Sequence, residues 1–274
     1  MHSVNANGAS IPALGFGTWA LPDDRVQHLV EHSIKVGYRH VDTAQMYKNE
    51  KAVGAGIKAS GIARDDIFLT TKIWPDFFAR DAFRRAADER LALLGVDQVD
   101  LLLLHWPSKT VPLAETIEAL NAVKDAGQTR HIGISNFTTA MIEEAVGLSA
   151  APLVTNQVEY HPFLSQTKVM AVLQQHGMAL TAYCPLARGK VVDDPTLTGI
   201  GWAHGKSAGQ VALRWLVQQP GVIAIPRSSS EKRIEENLDV FDFELSDAEM
   251  ARISAMGSPQ GRVVAVAIAP EWDA

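Results

Sequence analysis

The chain has 274 residues, with 25 basic against 31 acidic side chains and a net charge of −6, which argues against nucleic acid or an anionic membrane as its main partner. A single cysteine, Cys184, excludes an intrachain disulfide and fits a reducing compartment. No apolar run approaches the ~20 residues that span a bilayer, and MHSVNANGAS lacks the basic and apolar regions of a signal peptide, so a cytoplasmic protein is expected.

Residues 2–12 place Asn7-Gly8 between two short strand-like segments, the signal of a β-hairpin suited to plug a barrel floor. Eight apolar runs follow, each fit for burial on both faces and each stopping at polar groups. LGFGTW ends at Thr18-Trp19, HVDTA holds Asp42, IFLTTK ends at Lys72, and VDLLLLHW ends at His105-Trp106. HIGISN ends at Ser135-Asn136, LVTNQ at Asn156-Gln157, LTAYC holds Tyr183, and VIAIPRS reaches Arg227-Ser228. Their starts, near Leu14, His40, Ile67, Val99, His131, Leu153, Ala179 and Val222, lie roughly 22–43 residues apart, near the ~30 of one βα unit. A site built at the carboxyl ends of successive parallel strands is the layout of a (β/α)₈, or TIM, barrel.

Amphipathic stretches at 25–36, 81–94, 113–126, 138–148, 167–176 and 207–218 predict the helices between these strands, with Asp81 as an acidic N-cap of the second. Gly37, Gly61, Gly95, Gly127 and Gly177 fit the positions just past helix ends. The widest gap, 185–206, reads as a long loop with a short helix, entering from the catalytic end. Beyond the eighth unit, Ser246 with Glu249 three residues on predicts a capping-box helix over 246–256. The tail carries Val263, Val264, Val266, Ile268 and Trp272, so it is expected to pack back onto the barrel. With no repeat, low-complexity segment or linker, residues 1–274 are expected to form one domain.

Four ionisable groups stand at adjacent strand ends: Asp42, Tyr47, Lys72 and His105. Neighbouring strands lie ~4.8 Å apart, so these side chains can converge. A free tyrosine is a poor acid at neutral pH, and a nearby ammonium is expected to lower its pKa. A carboxylate at Asp42 would keep Lys72 charged, and His105 could hydrogen-bond a carbonyl oxygen. Singly, each has a plainer reading: a helix cap at Asp42, a solvated Lys72, a core His105. Together, beside Trp19, Trp74 and Trp106, they outline an apolar-walled pocket with proton-transfer groups.

The segments GFGTW (15–19), YRHVDTAQMYKNE (38–50), TTKIW (70–74), VDLLLLHWP (99–107), GISNF (133–137), NQVEYHP (156–162), AYCPLARG (182–189) and IPRSSSEKRIEENLDVFDFEL (225–245) resemble the aldo-keto reductase superfamily, in its order and across nearly the whole chain. The tail GRVV…APEWD (261–273) is most similar to the bacterial 2,5-diketo-D-gluconate reductase group of B type, also described as methylglyoxal reductases. The resemblance implies NADPH-dependent reduction of aldehydes and ketones; separately, no apolar element outside the barrel demands a partner, so a monomer is expected. Tyr47 would be the general acid, Lys72 and Asp42 the pair that sets it, and His105 the group that orients the carbonyl. Trp19, Tyr47, Trp74, His105 and Trp106 would line the substrate pocket.

Neither G-x-G-x-x-G after a strand nor G-x-x-x-x-G-K-[ST] occurs, so the nucleotide must bind otherwise. Ser135, Asn136 and Gln157 offer groups for a carboxamide and Tyr183 a face for a nicotinamide ring; the resemblance supports all four and adds Thr18, Trp19, Asp42 and Leu186. Arg227, Ser228, Ser229 and the following helix with Arg233, Glu236 and Asn237 make a phosphate site for the other end of the cofactor. Arg227 stands where many relatives carry lysine. No H-E-x-x-H occurs, and the only H-x₃-H pair, His28 and His32, lies in the first predicted helix away from the strand ends, so no catalytic metal is expected. Two other readings stay open: a cofactor-binding protein with a regulatory or structural role, and a barrel for sugar phosphates.

Overall fold

A computed structural model describes residues 1–273. It opens on an antiparallel hairpin, β1 (Ser3–Ala6) and β2 (Ala9–Pro12). Asn7 and Gly8 both take positive φ, 45° and 86°, as a two-residue turn between twisted strands requires. The Asn7 amide donates to the carbonyls of Leu153 (2.7 Å) and His176 (2.9 Å). Leu153 begins a barrel strand, so the hairpin seals the amino-terminal end of the barrel, as its sequence suggested.

Eight strands form the barrel: β3 (Phe16–Gly17), β4 (His40–Asp42), β5 (Phe68–Ile73), β6 (Val99–Leu104), β7 (Thr129–Ser135), β8 (Leu153–Glu159), β9 (Ala179–Tyr183) and β10 (Val222–Ala224). Each pairs in parallel with its sequence neighbours. The ring closes where Gly15 N–H donates to Ala224 O at 2.8 Å and Gly17 N–H to Pro226 O at 2.9 Å. Glycine at 17 is a steric requirement of that seam, because an added Cβ would lie 2.9 Å from Ile225 O. The strands read as near-continuous apolar runs because both faces are covered, the inner by the barrel core and the outer by helices.

The outer layer comprises α1 (Val26–Val36), α2 (Glu50–Ala59), α3 (Arg80–Leu94), α4 (Leu113–Asp125), α5 (Thr139–Leu148), α6 (Thr167–Gln175), α7 (Pro195–His204), α8 (Ala208–Gln218), α9 (Glu231–Leu238) and α10 (Asp247–Ser254). All five glycines expected just past helix ends take positive φ, including Gly61 after α2. Ser246 and Glu249 form the expected capping box of α10. Two expectations change. Asp81 is not the N-cap of α3; Ala79 is, without a side-chain bond, and Asp81 sits in the first turn, where its charge still favours the helix dipole. The long loop after β9 holds a full ten-residue helix, α7, started by Asp194, whose side chain accepts from Thr196 and Leu197 N–H, and by Pro195 at the first turn.

Candidate active site

The four ionisable groups converge at the carboxyl end of the barrel. Lys72 on β5 has no exposed surface, and Asp42 at the end of β4 is 1% exposed. The Lys72 ammonium donates to Asp42 Oδ1 (2.5 Å), to Thr43 O (2.9 Å) and to the Tyr47 hydroxyl (3.3 Å). The other Asp42 oxygen accepts from Gln157 Nε2 at 2.8 Å. Both charges are therefore paired and hydrogen-bonded, the condition under which burial is tolerated.

Tyr47 ends a single 3₁₀ turn, Gln45–Tyr47, broken by Lys48 at φ 57°. Gln45 Oε1 accepts from Trp74 N–H at 2.9 Å, which fixes that turn to the end of β5. Thr43 and Asn49 bond each other, and Asn49 donates to Thr18 O, so the loop carrying Tyr47 is anchored on both sides. The Tyr47 ring lies 5.0 Å from Trp19 and 5.6 Å from His105 between centroids. Trp74 meets His105 edge-on at 5.2 Å.

Burial pushes the Tyr47 phenol well above its ordinary range, and the Asp42 charge adds to the shift. This corrects the expectation that Lys72 draws it down: the ammonium is shared among three acceptors and largely answered by Asp42. Burial lowers the Lys72 pKa, against the pull of Asp42. Burial also holds His105 well below the usual imidazole range, with Lys72 acting in the same direction. Its Nδ1 is buried without a protein partner. At neutral pH the site thus presents a protonated phenol and an uncharged imidazole.

The polar groups expected around a carboxamide form one network. Ser135 Oγ donates to Gln157 O (2.8 Å), and Asn136 Nδ2 donates to His105 O (3.0 Å) and to Ser135 Oγ (3.0 Å). The Tyr183 hydroxyl donates to Asn136 Oδ1 at 2.8 Å. Asn136 takes a left-handed φ of 65°, unusual for a residue with a Cβ. Leu186 follows Tyr183, half-buried against the core. Thr18 is buried with its hydroxyl on Asp42 O, and Trp19 is 48% exposed at the rim.

A second group lies at the amino end of α9. Ser230 caps that helix, Ser228 Oγ bonds the Ser230 backbone, and Arg227 reaches across to Ala20 O at 3.1 Å. Arg25, not singled out from sequence, donates to Ser229 O at 2.9 Å. Arg233 and Glu236 are exposed on α9 and Asn237 is buried. Among the described residues, the Arg233 side chain has no hydrogen bond or ion pair.

The tail returns to the same mouth. Ser258 pairs with Leu164 beyond β8, and Glu159 at the end of β8 accepts from Val263 and Val264 N–H. Trp272 packs 6.1 Å from Trp106 and Asp273 accepts from Thr139 at the start of α5. Trp106 is consequently 5% exposed, a buried support for Trp272 more than an open wall. Glu159, Arg262 and Asp273 were missed in the sequence reading. The apolar tail pointed to packing but not to these polar contacts.

An eight-stranded parallel barrel with buried proton-transfer groups at its carboxyl end defines a class of enzyme-like site, and comparison with known proteins narrows it. The profile of the Aldo/keto reductase family matches residues 13–257. Methylglyoxal reductase DkgB of Escherichia coli O157:H7 is 39% identical over 267 residues, covering 96% of this chain and 100% of that protein. Glyoxal reductase of Bacillus subtilis is 40% identical, covering 93% and 92%. A crystal structure assigned as a 2,5-diketo-D-gluconic acid reductase B superposes with a TM-score of 0.99 at 55% identity, over 100% of this chain and 98% of that one. The chain belongs to the aldo/keto reductase family, a family of oxidoreductases.

Proposed function

We propose that the protein reduces aldehydes and ketones to alcohols with NADPH, and that compact 2-oxoaldehydes such as methylglyoxal and diketo sugar acids such as 2,5-diketo-D-gluconate are its substrate class. The observation that carries this reading is the fully buried Lys72 ammonium, which joins Asp42 to the Tyr47 hydroxyl. A barrel needs no lysine there for stability, since a buried ion pair is often no better than apolar packing. The substrate range follows the relatives' names.

The residues suit a dinucleotide. The unpartnered Arg233, with Arg227, Ser228 and Ser229 at the amino end of α9, would hold a phosphate, and Glu236 with Asn237 the adenosine end. Ser135, Asn136, Gln157 and Tyr183, beside Thr18, Trp19 and Leu186, would hold the other end. A nicotinamide held there would supply the hydride that the carbonyl carbon needs. Tyr47 supplies the proton to the carbonyl oxygen. As the proton leaves, the Lys72 ammonium stabilises the phenolate that forms, and Asp42 with Thr43 O holds the ammonium in place. Neutral His105 keeps a ring N–H to orient the substrate oxygen without adding a competing charge. Trp19 and Trp74 provide the apolar walls.

The test is NADPH consumption, followed at the nicotinamide absorbance band, on mixing the protein with methylglyoxal. Turnover supports the reading. Quenching of protein fluorescence by NADPH with no turnover on any carbonyl would favour a cofactor-binding regulatory role instead. We further propose that the protein acts as a cytoplasmic monomer formed as one domain.

A further inference from the structure

Glu159 is the last residue of β8 and has no exposed surface. Alternate residues of a strand share a face, so it lies two residues, ~6.6 Å, beyond Gln157 toward the mouth. It pairs in register with Tyr183. Its carboxylate accepts from Val263 N–H at 2.6 Å and Val264 N–H at 3.2 Å, lies 3.0 Å from His161 Nε2, and meets the Arg262 guanidinium at 3.4 Å. Three of these four partners belong to the tail. A buried carboxylate needs such donors, and without the tail only His161 remains.

From Glu159 the tail crosses the mouth as a strap. The Arg262 guanidinium stacks 3.7 Å from the Trp272 ring centre, and Trp272 packs on Trp106, the neighbour of His105. Lys109 donates to Ala267 O at 3.3 Å. Asp273 accepts from Thr139 N–H at 3.0 Å and from its hydroxyl at 2.8 Å. The strap is pinned at the carboxyl ends of β6, β7 and β8. Its entry is equally constrained, because a Cβ at Gly261 would overlap Phe163 O.

We propose that Glu159 is a positioning residue for substrate selection: it clamps Arg262–Val264 to the end of β8, and through the Arg262–Trp272–Trp106 stack it fixes the wall that admits compact carbonyls and excludes bulky ones. Glu159 does this without touching the substrate. The selectivity part rests on the reductase reading; the clamp itself does not.

The test compares wild type with Glu159→Gln, which keeps the shape and removes the charge. Hydrogen exchange at the Val263 and Val264 amides reports the clamp directly, whatever the enzyme's activity. A bond to a charged acceptor is worth ~10-fold or more in an equilibrium, so these amides should exchange about tenfold faster in the variant. The ratio of kcat/KM for an aromatic aldehyde over methylglyoxal should rise severalfold, while the Kd for NADPH stays within about twofold. Gly261→Ala, which diverts the strap and leaves Glu159 intact, should shift the ratio in the same direction. In a chain ending at residue 261, Glu159→Gln should add no further change, because its partner is gone. Unchanged exchange in Glu159→Gln would overturn the clamp. Faster exchange with an unaltered selectivity ratio, or an equal effect of Glu159→Gln in the shortened chain, would overturn its role in selection. Should wild type reduce no carbonyl at all, the reductase reading fails while the exchange result still decides the clamp.

Discussion

Gln157 donates its amide to the Asp42 carboxylate oxygen opposite the one that Lys72 holds, at 2.8 Å. One carboxylate therefore serves both the pair behind Tyr47 and the amide cluster on β7 and β8. Removing Lys72 would leave Asp42 buried with Gln157 and no counter-charge.

Lys72→Met is expected to lose at least ~10²-fold in kcat/KM, because the phenolate left by proton transfer has no cation beside it. It is also expected to lose about 3–5 kcal/mol of stability from the unpaired buried carboxylate. Adding Asp42→Asn should restore much of the stability and none of the activity. Urea denaturation beside an NADPH-linked assay checks both halves. Recovery of activity in the double variant would place Lys72 in a purely structural role.

Arg233→Ala should weaken NADPH binding by ~10–150-fold and NADH binding little, since a charge-assisted contact to an extra phosphate is worth roughly 1.5–3 kcal/mol. Arg227 already spends one guanidinium bond on Ala20 O, so its alanine variant should discriminate less between the two cofactors. Fluorescence titration with each cofactor measures the difference. Equal losses for both in Arg233→Ala would mark it as structural.

The barrel was legible because its signals are local and repeated. Apolar runs of strand length alternate with helical stripes, and glycines mark the helix ends. The convergence of Asp42, Tyr47, Lys72 and His105 was legible because strand order fixes which strand ends are neighbours. Helix α7 was foreshadowed only as a short helix, although Asp194-Pro195 is a start signal. The direction of the Tyr47 shift was misread because adjacency suggested a dominant ammonium, whereas burial and Asp42 decide it. The clamp at Glu159 was not legible at all. It joins residues 103–105 positions apart, and no local pattern tells a buried strand-end glutamate which distant amides it will bind.

His40 gives the stability of the fold an acid-side dependence. It is 1% exposed, bonded to Thr70 Oγ1, and burial lowers its pKa from 6.5 to about 4. Between those values the unfolded chain binds a proton that the folded one refuses, so stability falls as pH drops from about 6.5 to about 4 and this contribution levels off below. The shift corresponds to about 3 kcal/mol over the full window. His40→Gln should remove that contribution. The stability difference between wild type and variant, from denaturant curves at neutral pH and near pH 4.5, should therefore move against wild type in acid. A difference independent of pH would contradict a neutral buried His40.

Tyr47→Phe tests the central claim most directly. The ring contacts with Trp19 and His105 persist, and only the hydroxyl beside Lys72 is lost. With wild type and variant measured side by side, kcat/KM for NADPH-dependent reduction of methylglyoxal should fall by ~10²–10⁴-fold. The Kd for NADPH, read by fluorescence quenching in the same samples, should stay within about twofold, because the change leaves both cofactor-binding groups in place. A variant that keeps more than about a tenth of wild-type kcat/KM, with binding intact, would contradict Tyr47 as the proton donor.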